Sequence, residues 1–354
     1  MQDLSPPSAV LSPEAIRAAR KEHDKLRIRD LAHQLKITEG QLVAAFTGHG
    51  VTRISADPDQ LVPRVAELGE VMALTRTESC VHEKIGHYDH YRGGQHASMV
   101  LNGEIDLRIF PKFWVHAFAV TPEAGLGGGR PALMIFDAAG DAVHKIYCRE
   151  GSDVAAFARI AADLALPAQS EEMTVEARRA PEAPKSDPDK AEKLREFWNN
   201  MTDSHQFLGL VSKLKMNRLG AYRVAGAPLA RPLSPRIVPT LFERVAQTQV
   251  PVMIFVGNKG CIQIHSGPLH TIKPMGPWLN VLDPSFNLHL RADHVAEVWL
   301  VEKPTRRGMA ISVEAFDAEG TVIFQMFGLR KPDADHYPAR EALLADLTSE
   351  PAEA

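Results

Sequence analysis

The chain has 354 residues, too long for one typical domain and comfortable for two. Forty Lys and Arg against 44 Asp and Glu leave a net charge of −4, which gives nucleic acid and anionic surfaces no electrostatic support; neither is expected as a partner. Three cysteines cannot staple a secreted scaffold, and no apolar run nears the roughly 20 residues that span a bilayer, so a cytoplasmic chain that is not membrane-embedded is expected.

Met1–Pro13 carries no basic-then-apolar leader. Ser12-Pro13-Glu14 supplies a cap, a pre-set first turn and an acid at the positive end of a helix. Thr38 to Gln41 matches a capping box, with Ile37 and Leu42 as its staple and Gly48 as the stop. Strands follow. An internal repeat then becomes visible: Val71–Gly86 lies over Val252–Gly267 at an offset of 181, which sets Cys80 on Cys261. The same offset lays Leu101–Phe110 over Leu282–Arg291, and an offset of 180 lays Phe136-Asp-Ala-Ala-Gly140 over Phe316-Asp-Ala-Glu-Gly320. Arg108 thereby meets His289. Short strand-turn-strand connections without crossover helices predict antiparallel pairing. The fold class expected is α+β: two tandem homologous domains, each a large antiparallel sheet with flanking helices. The first repeat is placed at 12–166 and the second at 189–346. Between them 167–188, rich in proline and charge, reads as an exposed linker. Asp187-Pro188 opens a helix reaching Asn200, and the residues from Ser349 read as a frayed tail.

Familiar catalytic motifs are missing. There is no Gly-x-Gly-x-x-Gly at a strand-to-helix turn, no Walker sequence, no Cys-x-x-Cys and no His-Glu-x-x-His. Gly125–Gly129 reads as a loop. His82, His87, His90 and His96 cluster in sequence and read as a polar loop more readily than as a metal site. The cysteines fall in strands and read as small buried hydrophobes.

The segment Asn200–Gly209 carries more. Thr202 is expected to cap a helix with His205 as its third residue, where free N–H groups favour a neutral, metal-binding imidazole. Gly209 lies one turn on, on the same face, and leaves room for a flat ligand. Strand alternation sets Arg108 and Phe110 on one side, Leu107 and Ile109 on the other. Arg218 and Lys303 add positive charge. A histidine, an apolar cleft and several cations suit a flat, greasy dicarboxylate, and haem is one.

With Thr202-Asp-Ser-His-Gln-Phe207, Asp106-Leu-Arg-Ile-Phe110, Val301-Glu-Lys-Pro-Thr305 and Phe324–Arg330, the sequence resembles the haemin-transport and haemin-degrading family of bacterial cytoplasmic proteins over about residues 12–345. The resemblance implies haem b as ligand or substrate, in a cleft reached by both repeats. It implies His205 as iron ligand and catalytic residue, and Arg108 on the other side of the iron as its catalytic partner. Arg218 and Lys303 fall near the propionates, and Phe110, Gly209 and Phe324 against the ligand. It offers His82 as an alternative haem ligand, while His289 stays open. The function it implies is haem-iron utilisation, with oxidative haem degradation driven by an external electron-donating reductase. The alternative is a non-enzymatic haem carrier or store. An inner-membrane haem importer is the expected source of haem.

Overall fold

The computed structural model describes residues 11–329, and in it the capping signals place the first helices. Ser12 accepts the Ala15 N–H and opens α1 (Pro13–Glu22). After α2 (Ile28–Gln34), Thr38 and Gln41 form the reciprocal box that opens α3 (Glu39–Ala44). That helix ends four residues before Gly48. Tight turns from Phe46 to Val43 and Thr47 to Ala44 release the chain first, and Gly48, at φ +79°, turns it toward β1 (Val51–Ile54). The first half continues with α4 (Pro58–Val65), β2 (Val71–Arg76), β3 (Cys80–Gly86), β4 (Tyr91–Arg92), β5 (Ser98–Leu101), β6 (Asp106–Ile109), β7 (His116–Val120), β8 (Ala132–Phe136), β9 (Ala142–Cys148) and α5 (Val154–Asp163). The second half has α6 (Ala191–Asn199), α7 (Gln206–Lys213), α8 (Arg218–Ala225), β10 (Ala230–Leu233) and α9 (Ile237–Thr248), then β11 (Val252–Gly257), β12 (Cys261–Gly267), β13 (Ile272–Met275) and β14 (Trp278–Leu282). It closes with β15 (Phe286–Arg291), β16 (Glu297–Lys303), β17 (Ala310–Phe316) and β18 (Val322–Gly328).

The repeat is structural. β2 and β3 recur as β11 and β12 with every boundary shifted by 181 residues. Asp137 accepts the Ala139 and Asp141 N–H groups across a turn closed by Gly140 at φ +77°. Asp317 does the same for Glu319 and Thr321, with Gly320 at φ +83°.

The chain divides into two compact units. Within the first, five strands run in the order β1-β7-β8-β9-β2, beside a β4-β5-β6 ribbon. Alternation explains the two cores of this unit. Phe118, Val120, Met134 and Phe136 pack with α1–α3, while Ala117, Ala119, Leu133 and Ile135 pack with α4 and α5. Both faces are therefore covered, which is why β8 is buried at every position. Within the second unit, six strands run β10-β16-β17-β18-β11-β12, and four run β13-β14-β15-β3. Trp299 and Val301 face α6–α8, whereas Val298 and Leu300 face α9. Every named strand pair within the units is antiparallel, as in the expected fold class.

The division between Arg178 and Arg179 falls inside the 167–188 segment, but the units are not two unbroken stretches. Arg76–Lys84 belongs to the second unit, where Cys80 packs with Phe286 and Leu288; Asn258–Cys261 belongs to the first, where Cys261 packs with Trp114. Nor is 167–188 a free tether. Met173 is buried among α1–α3, and Gln169 exchanges two 2.9 Å bonds with the backbone of Arg53. Further on, Asn217 donates to the Ala183 carbonyl and accepts the Lys185 N–H. One methionine among prolines and charges gave no periodic signal of this anchoring. The expected tail from Ser349, and Arg330 of the last motif, lie outside the described residues.

Candidate functional site

An aromatic floor positions α7. Trp198 from α6, Phe207 from α7 and Tyr222 from α8 are fully buried against the sheet. Their ring centroids lie 4.6 Å apart for Trp198–Phe207, 5.5 Å for Phe207–Tyr222 and 5.8 Å for Trp198–Tyr222. With Phe207 and Val211 directed inward one turn apart, helical spacing turns His205, Leu208 and Gly209 outward. The His205 side chain is 90% exposed, and Leu208 is exposed beside it. A Cβ at Gly209 would meet nothing within 4 Å. The helix face is therefore a histidine, a leucine and open space.

The cap differs from the expectation. α7 begins at Gln206, His205 holds the N-cap position, and Thr202 caps nothing. Asp203 takes over because its carboxylate reaches two residues on, accepting the His205 N–H at 2.9 Å and Nδ1 at 2.6 Å. These bonds hold Asp203 below the usual carboxylate range, the backbone bond contributing most. Gln206 reaches back to accept the Thr202 N–H at 2.9 Å. With Nδ1–H donated to Asp203, the lone pair of His205 sits on Nε2, the arrangement that suits a histidine metal ligand. The sequence showed the Asp-x-His spacing, and that was the available signal for Asp203.

Beneath α7 lies a buried charge cluster. Glu314 of β17 is fully buried. Its Oε1 accepts from Lys303 Nζ and Ser312 Oγ, each at 2.8 Å. Its Oε2 accepts from Arg218 Nη1 at 2.9 Å and the Tyr222 hydroxyl at 2.8 Å. Burial alone would raise the Glu314 carboxyl; Lys303 and Arg218 outweigh it and hold the group well below the usual carboxylate range. The structure thus brings Arg218 and Lys303 together, as partners of Glu314. Lys303 is 3% exposed, and its Nζ also donates to the Tyr222 hydroxyl at 3.0 Å and lies 4.8 Å from the centre of the Phe207 ring. Arg218 keeps 21% of its side chain exposed. A glutamate inside the apolar run Ile311–Phe316 was the sequence's sign of a buried partner set.

In the first unit β6 alternates as expected, with Leu107 and Ile109 buried and Arg108 half-buried. Arg108 Nη1 pairs with the Asp106 carboxylate on the same strand face and donates to the Leu107 carbonyl at 3.0 Å. Burial pushes Asp106 up, and Arg108 opposes that shift. Phe110, half-buried, is tied by its N–H to the Gly260 carbonyl at 3.0 Å.

Phe324 is a correction. It is fully buried, with its ring edge-on to Phe242 at 5.5 Å, so it belongs to the core between the sheet and α9 and lines no surface. The single polar residue of this strand, Gln325, was too little to show which side was open. His82 is likewise sealed, its ring 4.9 Å from Phe286, which leaves no open coordination position there. His289 is partly buried, with Nδ1 2.6 Å from Asn280 Oδ1. Cys80, Cys148 and Cys261 are buried; burial pushes the thiols of Cys148 to about 11 and of Cys261 to about 12, so neither is a nucleophile. Among the described residues no cluster of three His, Cys, Asp or Glu could hold a metal ion, and no helix is long and apolar enough to cross a membrane.

A family model described as the haemin-degrading HemS/ChuX domain matches residues 36–164 and again 215–347. The hemin transport protein HmuS of Yersinia pestis is 36% identical over 313 residues, covering 88% of this chain and 90% of HmuS. The crystal structure of holo-PhuS, a heme-binding protein from Pseudomonas aeruginosa, superposes with a TM-score of 0.89 at 38% identity, covering 97% of this chain and all of PhuS. That of ChuS, an E. coli heme oxygenase, superposes with a TM-score of 0.83 at 29% identity over 94% of this chain and 99% of ChuS.

Proposed function

The chain belongs to the haemin-degrading HemS/ChuX domain family, and we propose that it is a haem-binding protein of haem-iron utilisation that takes haem b as ligand and substrate. The observation that carries this reading is the exposed His205, with Nδ1 held by Asp203, one helical turn before the open Gly209. An imidazole fixed through one nitrogen by a carboxylate is a pre-oriented iron ligand. Leu208 offers apolar contact for the macrocycle, and Arg218, with Lys303 behind it, offers positive charge for a propionate. Phe110 supplies apolar contact on the Arg108 strand; Phe324 acts only by shaping the sheet.

Bound haem supplies the iron chemistry of oxidative ring opening. The chain's part is to hold and orient it. His205 fixes the iron. Arg108, permanently charged and able only to donate, would stabilise negative charge developing on the bound group. Degradation needs electrons from an external reductase, and delivery of haem from an inner-membrane importer to a cytoplasmic acceptor fits the same reading.

A carrier or store is the second reading, favoured by the name of HmuS as a hemin transport protein, whereas ChuS is described as a heme oxygenase. One experiment separates them. Haemin is titrated into the protein, and reductant is then added under air. Saturation at one haem per chain followed by loss of the Soret band and release of iron supports degradation. A stable Soret band supports the carrier, and no saturable binding removes both.

A further inference from the structure

Away from the α7 face, the first unit gathers a second set of reactive side chains in its interior. Tyr88, His144, Thr75 and Cys261 are all sealed, none more than 1% exposed. The Tyr88 hydroxyl lies 2.6 Å from His144 Nε2, and Thr75 Oγ1 lies 2.8 Å from His144 Nδ1. Thr75 Oγ1 in turn donates to Cys261 Sγ at 3.6 Å. Trp114 stacks on the imidazole, with ring centroids 6.2 Å apart and planes at 24°. The Trp114 indole N–H donates to the Gly260 carbonyl at 3.0 Å, the same oxygen that accepts the Phe110 N–H. The cluster therefore reaches the end of the strand that carries Arg108.

The bonds fix the direction of this chain. Burial keeps the imidazole neutral, so His144 has one N–H and one lone pair. The single hydrogen of the Thr75 hydroxyl is spent on the sulfur, so its oxygen accepts from Nδ1–H. Nε2 is then the bare nitrogen, and the Tyr88 O–H donates to it. The reverse arrangement would leave a buried phenolic hydrogen without an acceptor among the described residues, which is costly. A phenol that loses an electron becomes a very strong acid and must shed its proton at once. Tyr88 has a lone pair 2.6 Å away to receive it.

We propose that Tyr88 is a redox-active residue that gives one electron to a peroxide-generated oxidant and its phenolic proton to His144. The Tyr88 O–H bond breaks, an Nε2–H bond forms on His144, and the electron passes to the oxidant. Tyr88 becomes a neutral phenoxyl radical and His144 an imidazolium. An electron returned by a one-electron reductant of the ascorbate class sends the proton back to the phenoxyl oxygen. The same burial that keeps His144 neutral favours this return. The pair would thus absorb stray oxidising equivalents reversibly. Its chemistry stands apart from the haem reading; only the delivery of oxidant, by peroxide acting on haem held near Arg108 and Phe110, rests on that reading.

The test oxidises the full chain in two ways and reads freeze-quenched EPR and ENDOR spectra. One arm uses photogenerated tris-bipyridyl ruthenium(III) on the chain without haem, and the other adds hydrogen peroxide to the chain loaded with haemin. Tyr88→Phe and His144→Gln are compared with wild type, and thermal melts check each fold. Wild type is expected to give, in both arms, a phenoxyl radical with an exchangeable-proton coupling from His144. Y88F loses that radical, and H144Q loses the coupling and most of the yield. The same coupled radical in Y88F, or a wild-type phenoxyl without the coupling, overturns the assignment. A coupled radical under light but none under peroxide overturns haem as the source of the oxidant. If H144Q does not fold, Y88F decides the matter alone. A chain that takes up no haemin removes the haem reading, and the light arm then decides whether Tyr88 and His144 act as a pair.

Discussion

Asp203 accepts two hydrogen bonds from the same residue, one from the His205 backbone N–H at 2.9 Å and one from its ring Nδ1 at 2.6 Å. The first places the residue at the start of α7, and the second fixes its ring. Asp203→Asn keeps an acceptor able to make the turn but removes the charge that would strengthen His205 as the proposed ligand. Outer-shell changes of this kind weaken metal binding by about 10–100-fold. Haemin affinity is expected to fall in that range with His205 ligation retained, and the iron–imidazole stretch in resonance Raman is expected to drop. An unshifted stretch contradicts the positioning role.

Arg108 is paired with Asp106 on β6 and does not depend on His205 for its place. Arg108→Ala is therefore expected to keep the histidine-ligated ferrous spectrum while slowing reductant-driven haem loss by about 10²-fold, the scale seen when a preorganised donor is removed. Single-turnover absorbance traces check this. Equal rates for variant and wild type contradict it.

Buried His144 makes the fold sensitive to acid. Thr75 Oγ1 lies 2.8 Å from its Nδ1 and the Tyr88 hydroxyl 2.6 Å from its Nε2. Burial lowers its pKa from 6.5 to about 3. The unfolded chain binds this proton below about 6.5 and the folded chain does not until near 3, so the stabilisation is complete above 6.5 and is lost as pH falls through that window. The slope approaches about 1.4 kcal/mol per pH unit. Urea midpoints are expected to fall from pH 7 to pH 4.5, and less steeply in His144→Gln, which stays neutral. Parallel pH profiles for the two proteins contradict this.

Gly220 sits where the 167–188 segment passes over α8. A Cβ there would lie 1.7 Å from the Lys185 carbonyl oxygen, a backbone atom that cannot swing away. Gly220→Ala is expected to destabilise the second unit by about 3 kcal/mol, the upper part of the usual overpacking range. A melt within a degree of wild type contradicts the close approach.

The sequence showed the duplication plainly because each hairpin kept both its length and its turn chemistry: Asp137 to Gly140 and Asp317 to Gly320 need the same residues for the same backbone. It showed the caps at Ser12 and Thr38 for the same local reason. It misplaced the start of α7, because Thr202, Asp203 and Ser204 are all competent caps and only the fold chooses among them. Arg218 and Lys303 read as open cations, since their partner lies 96 and 11 residues away, respectively, on β17. Phe324 looked like a contact residue because a strand with Gln325 as its one polar side chain does not reveal its covered side. The membership of residues 76–84 and 258–261 could not be read either, for long-range packing leaves no periodic trace.

His205 Nε2 is proposed to hold haem iron. The direct measurement is a haemin titration of wild type and His205→Ala, followed by absorption and resonance Raman spectra of the ferrous forms. The account predicts one haem per wild-type chain with an iron–imidazole signature, and in H205A the loss of that signature with affinity weaker by at least about tenfold. Identical spectra and identical affinity in the two proteins would contradict it.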